Sequence, residues 1–270
     1  MPIEDFERIT SPLAYGGKSH QLGGAIRSGL PVPRGFGVSW EVVDAVVRSE
    51  PLACRDVLVA LQSLAADSVA VRSSAIGEDS ADASFAGHHL SLMHLRSPEA
   101  VLDGIRQVWA SGSDPGALAY RQKKGIPGPV RIGVAVQAMV DAECAGVLFS
   151  RHPVTGADEI VLEASWGLGE SVVAGLVIPD HYRIARSGEI LETRLGEKDI
   201  AIQFRPEGGT EERTVDPERA TGPCLSVDQI DGLRLLAIRC EALLPQGVDV
   251  EWAYREGQLF LLQCRPISTR

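Results

Sequence analysis

An α+β fold with many antiparallel strand pairs is what this sequence predicts. Strand-like segments outnumber helical ones and often follow one another directly. The last of them flank a Glu256-Gly257 turn with the spacing of a β-hairpin. The regular β–α alternation of a dinucleotide-binding sheet is missing. A chain of 270 residues suits one large domain or two small lobes, either of which buries a proper core.

The elements read in order as follows. Tyr15-Gly16-Gly17-Lys18-Ser19 and Leu30-Pro31-Val32-Pro33-Arg34-Gly35 punctuate the opening; a short helix is expected between them and another near Glu41 to Val47. Ser68 to Arg72 alternates as a strand and enters a polar loop from Ser73 to Gly87. A second strand is expected where Leu90, Leu92 and His94 alternate with Ser91, Met93 and Leu95. Pro98 to Ala110 is helical, with Val101, Leu102, Ile105, Val108 and Trp109 on one side. Arg131 to Val140 and Ala145 to Phe149 are apolar strands joined by a turn at Asp141-Ala142-Glu143. Further strands are expected at Glu159–Ala164, His181–Ala185 and Ile190–Arg194. Ser226 to Leu244 is the clearest helix: Ser226 and Gln229 form a capping box, and Ile230, Leu233, Ala237, Cys240 and Leu244 make its core stripe. Val248–Tyr254 and Leu259–Cys264 close the chain as the hairpin.

Composition narrows the function classes. Hydrophobic residues at 44% and charged residues at 23% are ordinary for a globular protein. A net charge of -10 argues against general nucleic-acid binding, which needs a basic surface, but a local pocket of Lys and Arg can still hold ATP. Cys54, Cys144, Cys224, Cys240 and Cys264 are odd in number and none has C-x-x-C spacing. Reduced cytoplasmic thiols are therefore expected, not a disulfide framework or a zinc ribbon. MPIEDFERIT lacks a basic and apolar signal-peptide pattern, and no apolar run reaches the roughly 18 residues of a membrane span.

Several motifs mislead. Gly16-Gly17-Lys18-Ser19 resembles the end of a P-loop, but Pro12 stands where the first glycine belongs. The Gly-Gly-Lys remains suited either to a phosphate contact or to a plain turn with a solvated lysine. Gly167-Leu168-Gly169 begins a G-x-G-x-x-G that Val172 fails to complete. His88, His89 and His94 suggest a metal, yet no Cys or second cluster finishes a site. Ser73-Ser74 has no G-x-S-x-G setting.

The final hairpin carries more chemistry. Asp249 and Glu251 are two apart on one strand, Gln263 and Arg265 two apart on the facing strand. A tight turn places Glu251 near Gln263 and Arg265 close to Asp249. Oxygen ligands beside an arginine suit Mg²⁺ bridging phosphates, with arginine holding a terminal phosphate by a forked contact. The alternative from pairing logic is an edge hairpin with charged residues on its wet face.

A resemblance bears on that choice. Gly16-Gly17-Lys18 with Leu22-Gly23, Val71-Arg72-Ser73-Ser74-Ala75 with Glu78-Asp79 and Ser84-Phe85-Ala86-Gly87, and Val136-Gln137-Ala138-Met139-Val140 stand in order. Gly146-Val147-Leu148-Phe149 with Pro153-Val154-Thr155-Gly156, Gly167-Leu168-Gly169-Glu170-Ser171-Val172-Val173-Ala174-Gly175, Asp249-Val250-Glu251-Trp252-Ala253 and Gln263-Cys264-Arg265-Pro266 follow. Together they resemble the N-terminal ATP-binding domain shared by phosphoenolpyruvate synthase, pyruvate phosphate dikinase and rifampin phosphotransferase. The resemblance covers nearly the whole chain. It implies an ATP-grasp fold of two lobes, residues 1–136 and 137–270, with largely antiparallel sheets and an ATP cleft between them. It implies that Lys18 and Arg72 bind the ATP phosphates, that Gly87 sits in a loop over them, and that Met139 and Val140 present backbone groups to the adenine edge with Gln137 alongside. Glu170 would lie near the sugar or phosphates, Glu251 and Gln263 would hold Mg²⁺, Arg265 would contact the outer phosphates, and Asp249 would orient the cationic groups. Catalysis would rest on positioning and electrostatic stabilisation through Lys18, Arg72, Asp249 and Arg265.

The sequence also departs from that family. No Gly-Gly-x-x-Ser-His stretch is present, and none of His20, His88, His89, His94, His152 or His181 has the carrier-histidine context. The expectation is an ATP-dependent phosphotransferase that works with a separate protein carrying a phosphohistidine swivelling domain and an acceptor-substrate domain, or else a cut-out domain. AMP is its expected final nucleotide product, with no nucleic-acid or membrane partner. Trp40 to Arg72 is shorter than the family's segment, which implies a reduced helical part. His88, His89, Leu90 and Ser91 replace the family's Gln and following Thr. Two other readings stay open: a nucleotide-binding regulatory protein without turnover, and a self-sufficient ATP-grasp kinase or ligase.

Overall fold

The computed structural model describes residues 3–76, 90–116 and 130–267. Gly87, together with Glu78-Asp79, Ser84-Phe85-Ala86 and His88-His89, lies outside the described residues. Two compact units are present: residues 1–28, 33–139 and 206–209, and residues 29–32, 140–205 and 210–270.

The first unit is built on a five-stranded antiparallel sheet. Its strands are β1 (Ile3–Asp5), β2 (Gly35–Val38), β3 (Val69–Ala75), β4 (Ser91–Leu95) and β5 (Ile132–Ala138), in the order β1-β2-β5-β3-β4. Alternation sends Phe36, Val38, Val69, Val71, Val134 and Val136 to one face. There they form a core with residues of helices α2 (Trp40–Val47), α3 (Pro51–Leu64) and α4 (Pro98–Ser111). The opposite face carries small and polar residues: Gly37, Ala135 and Arg72 pair across three strands, as do Gly133 and Ser74 across two. Lack of side-chain bulk lets the chain's opening turn and helix lie close there. A Cβ on Gly133 would sit 2.5 Å from the Tyr15 carbonyl oxygen.

Helix α1 (Pro12–Arg27) starts earlier than expected, capped by Ser11 with Pro12 in its first turn. It is interrupted at Gly16, whose φ of 78° and ψ of 174° are not helical. Strand β3 also runs past its expected end. Ser73 and Ser74 are not loop residues; they are paired with Val134 and Gly133 and fully buried. Helix α3 and strands β1 and β2 were not anticipated, so the short stretch from Trp40 to Arg72 holds two helices.

The second unit holds a six-stranded antiparallel sheet of β6 (Cys144–Phe149), β7 (Glu159–Trp166), β8 (Asp180–Ala185), β9 (Ile190–Arg194), β12 (Val248–Arg255) and β13 (Gln258–Pro266). Its order is β13-β12-β6-β7-β8-β9. A separate hairpin, β10 (Ile200–Phe204) with β11 (Thr210–Thr214), was not legible in the sequence. The strands either side of Asp141-Ala142-Glu143 do not pair: β5 and β6 belong to different sheets. Short helices α5 (Glu170–Val173) and α6 (Pro217–Thr221) precede α7 (Val227–Glu241). The Ser226–Gln229 capping box is formed, and Ile230, Leu233, Leu236, Ala237 and Cys240 are buried. Leu244, expected in that stripe, falls beyond the helix end and is half-buried. Tyr254 anchors α7 to the sheet, its hydroxyl donating to the Gln229 carbonyl at 2.9 Å.

All five cysteines are free. No helix among the described residues is long and apolar enough to cross a membrane.

Candidate functional site

In the first unit, strand pairing sets Arg72 and Gln137 on the same face of adjacent strands. Arg72 is 5% exposed and Gln137 3%, and an Arg72 Nη1–H donates to Gln137 Oε1 at 3.4 Å. Gln137 Nε2 is buried and has no hydrogen-bond partner among the described residues. A buried amide N–H₂ left without a partner costs desolvation free energy. Lys18 lies half-buried just after the Gly16 break in α1. Met139 follows β5, and its N–H donates to the Ser68 carbonyl at 3.0 Å.

In the second unit, the terminal hairpin makes the expected pairings, but through a one-residue bulge: counted straight from the Glu256-Gly257 turn, Glu251 would face Leu262, and the bulge moves it to Gln263. Asp249 is opposite Arg265 and Glu251 opposite Gln263, with a bulge just beyond, between Glu251 and Trp252. Directly opposed residues project to the same face, so these four side chains form one polar cluster. The other face of the same strands carries buried Val248, Val250 and Cys264. Arg265 reaches Asp249 Oδ2 through Nε at 2.8 Å and Nη2 at 2.7 Å. Burial pushes the Asp249 carboxyl up; the Arg265 guanidinium pulls it back and the Glu251 charge adds to the rise. That electrostatic tension suits a cation near Glu251, which would relieve the repulsion between the two carboxylates.

Glu170 opens α5. Its Oε1 is buried without a partner among the described residues, and burial raises its carboxyl against a hydrogen bond from Thr210. Val140 is buried in a small cluster with Ala145 and Ala253. Among the described residues, no three His, Cys, Asp or Glu side chains group as a metal site. His94, the described member of the histidine group, is buried, with Nδ1 2.9 Å from Ser68 Oγ; His88 and His89 lie outside the described residues.

Two features had no sequence signal. Asp180 and Lys198 form an ion pair at 2.5 Å with both side chains fully buried. Asp180 also accepts the Gly196 and Cys224 N–H groups at 2.9 Å each. The second is Ser74, whose Oγ accepts the Ser19 N–H at 3.1 Å.

Comparison with known proteins adds to this geometry. The family model for the pyruvate phosphate dikinase AMP/ATP-binding domain matches residues 52–270. A probable phosphoenolpyruvate synthase of Methanothermobacter thermautotrophicus is 35% identical over 300 residues, covering 94% of this chain and 44% of that protein. The prodigiosin synthesizing transferase PigC of Serratia marcescens is 33% identical, covering 98% of this chain and 32% of PigC. Rifampicin phosphotransferase of Bacillus subtilis is 36% identical, covering 74% of this chain and 23% of that enzyme. The chain thus spans less than half the length of each of these relatives.

Proposed function

The chain belongs to the pyruvate phosphate dikinase AMP/ATP-binding domain family, and from that premise we propose that it binds Mg²⁺–ATP to phosphorylate a histidine on a separate carrier protein or domain, the β-phosphoryl group staying on the histidine, the γ-phosphate passing to water as inorganic phosphate, and AMP leaving. The observation that carries this reading is the hairpin register that sets Glu251 beside Gln263 and Arg265 against Asp249 on one face. A carboxylate and an amide oxygen suit Mg²⁺, which accepts one or two such ligands and keeps its remaining positions for water and phosphate. Bound there, the ion would neutralise phosphate charge. Arg265, held by two contacts to Asp249, would be oriented to contact a phosphate oxygen.

Lys18 and Arg72 would neutralise the phosphate oxygens in the same reading, and Gln137 Nε2 would donate to the nucleotide. Gly87 would let the backbone approach the phosphates. Met139 and Val140 would meet the adenine edge. Glu170, a half-buried carboxylate raised by desolvation, accepts from a hydroxyl far more readily than it tolerates a phosphate beside it. Ribose is therefore its better target than the phosphates. The carrier protein or domain would bear the phosphohistidine, with an acceptor-substrate domain beside it.

Product analysis with ATP tests the reading. AMP formation that depends on an added carrier-histidine protein is expected, because AMP requires cleavage between the α and β phosphates. ADP formed with a small acceptor and no carrier would overturn it in favour of a self-sufficient kinase. ATP binding without turnover in any pairing would leave a regulatory nucleotide-binding protein.

A further inference from the structure

We infer that Ser74 is a positioning residue that fixes the Lys18 loop to the strand bearing Arg72. The inference rests on the reading of Lys18 as a phosphate ligand. Gly16 breaks α1 with φ 78°, and the helix has to restart through Gly17, Lys18 and Ser19. The first amides of a restarting helix have no carbonyl of their own to donate to. Here the Ser19 N–H donates to Ser74 Oγ at 3.1 Å, in a buried setting and across 55 residues of sequence. The cap is thus supplied by β3 and not by the residue preceding the helix.

The approach is close enough to exclude side chains. A Cβ on Gly16 would stand 1.8 Å from the Ser74 carbonyl oxygen and 2.6 Å from its Oγ. Gly133, paired with Ser74 on β5, clears the Tyr15 carbonyl in the same way. Ser74 is two residues beyond Arg72 on the same strand and so projects to the same face. One hydroxyl therefore references the Lys18 loop to the guanidinium that would share its phosphates. Ser73 has no such role: it is equally buried but projects to the opposite, apolar face.

The test measures ATP and adenosine affinity calorimetrically for the parent and for Ser74→Ala, Ser73→Ala, Lys18→Ala and the Ser74→Ala/Lys18→Ala pair, with circular dichroism reporting folding. Ser74→Ala is expected to weaken ATP binding roughly fivefold, the size of a lost helix cap, and to leave adenosine binding unchanged. In the Lys18→Ala background the same change should cost nothing further, because the two act as one unit. Ser73→Ala should match the parent. Should Ser74→Ala lower the helical signal, the volume-conserving Ser74→Cys replaces it, with a weaker acceptor and the same expected direction. Equal losses in both backgrounds, or a matching loss for adenosine, would overturn the inference while leaving Lys18 in place. ATP affinity insensitive to Lys18→Ala would overturn the Lys18 assignment and this inference with it.

Discussion

Removing either half of the buried Asp180–Lys198 pair should destabilise the protein unequally. Both side chains are fully buried, and Asp180 is the more connected partner. Lys198→Met deletes the cation but leaves the Asp180 carboxylate accepting the Gly196 and Cys224 N–H groups at 2.9 Å each, with the Tyr182 hydroxyl at 3.5 Å. Methionine also refills the alkyl stem. The expected loss is about 3 kcal/mol, the lower end for a broken buried pair. Asp180→Ala leaves the ammonium with the Gly196 carbonyl at 3.2 Å and strands both backbone donors. Two orphaned N–H groups add to the unpaired charge, so the loss should be about 5 kcal/mol or more. At about 2–4 °C per kcal/mol for domains of this size class, the two variants should melt about 6–12 °C and about 10–20 °C below the parent. Scanning calorimetry with a circular dichroism check measures this. Equal destabilisation by the two variants, or losses under about 1 kcal/mol in both, would refute the reasoning.

Three further outcomes are expected. Glu251→Gln keeps the shape of the hairpin and drops a charged ligand, so the Mg²⁺-dependent gain in ATP affinity should fall by about tenfold or more with the fold intact; titrating ATP at several Mg²⁺ concentrations reads it. Arg265→Lys should not substitute, because a point charge cannot reproduce the two contacts at 2.8 and 2.7 Å to Asp249; AMP formation should drop by about tenfold or more in steady-state assays. Glu159, held below the usual carboxylate range first by its hydrogen bonds from Arg183 at 3.1 and 2.8 Å, contributes stability at neutral pH. Because its folded value is depressed, that contribution should be complete above about pH 4.3 and fade as pH falls below it. Denaturant unfolding of the parent and Glu159→Gln should therefore converge in acid and diverge at pH 7.

What the sequence determined by itself was whatever local patterning specifies. The Ser226–Gln229 box starts α7 because the cap and its partner are three residues apart and need nothing else. The β12–β13 hairpin itself follows from its tight turn and alternating strands, but the bulge at Leu262 that sets Glu251 opposite Gln263 and Asp249 opposite Arg265 is a tertiary feature: straight alternation from the turn would have put Leu262 opposite Glu251. Pro98 to Ser111 declared itself through its apolar stripe and the Ser97 cap. Tertiary structure decided the rest. Ile132–Ala138 and Cys144–Phe149 look alike as apolar strands, and only long-range pairing sends one to the first sheet and the other to the second. Ser73 and Ser74 have polar, loop-like character; their burial comes from the β5 partner, whose contribution no local window contains. The β10–β11 hairpin lies in a charged, weakly alternating stretch and is held by its own pairing and by the Gly167–Ile202 bridge. Lys198 reads as a surface lysine in sequence. It is buried because Asp180, 18 residues earlier, neutralises it and the Gly196 carbonyl accepts a second of its N–H groups, while two backbone amides satisfy the Asp180 carboxylate. The Ser74 cap spans 55 residues for the same physical reason: a hydrogen-bond donor left over by one element takes its acceptor from whatever strand the fold brings beside it.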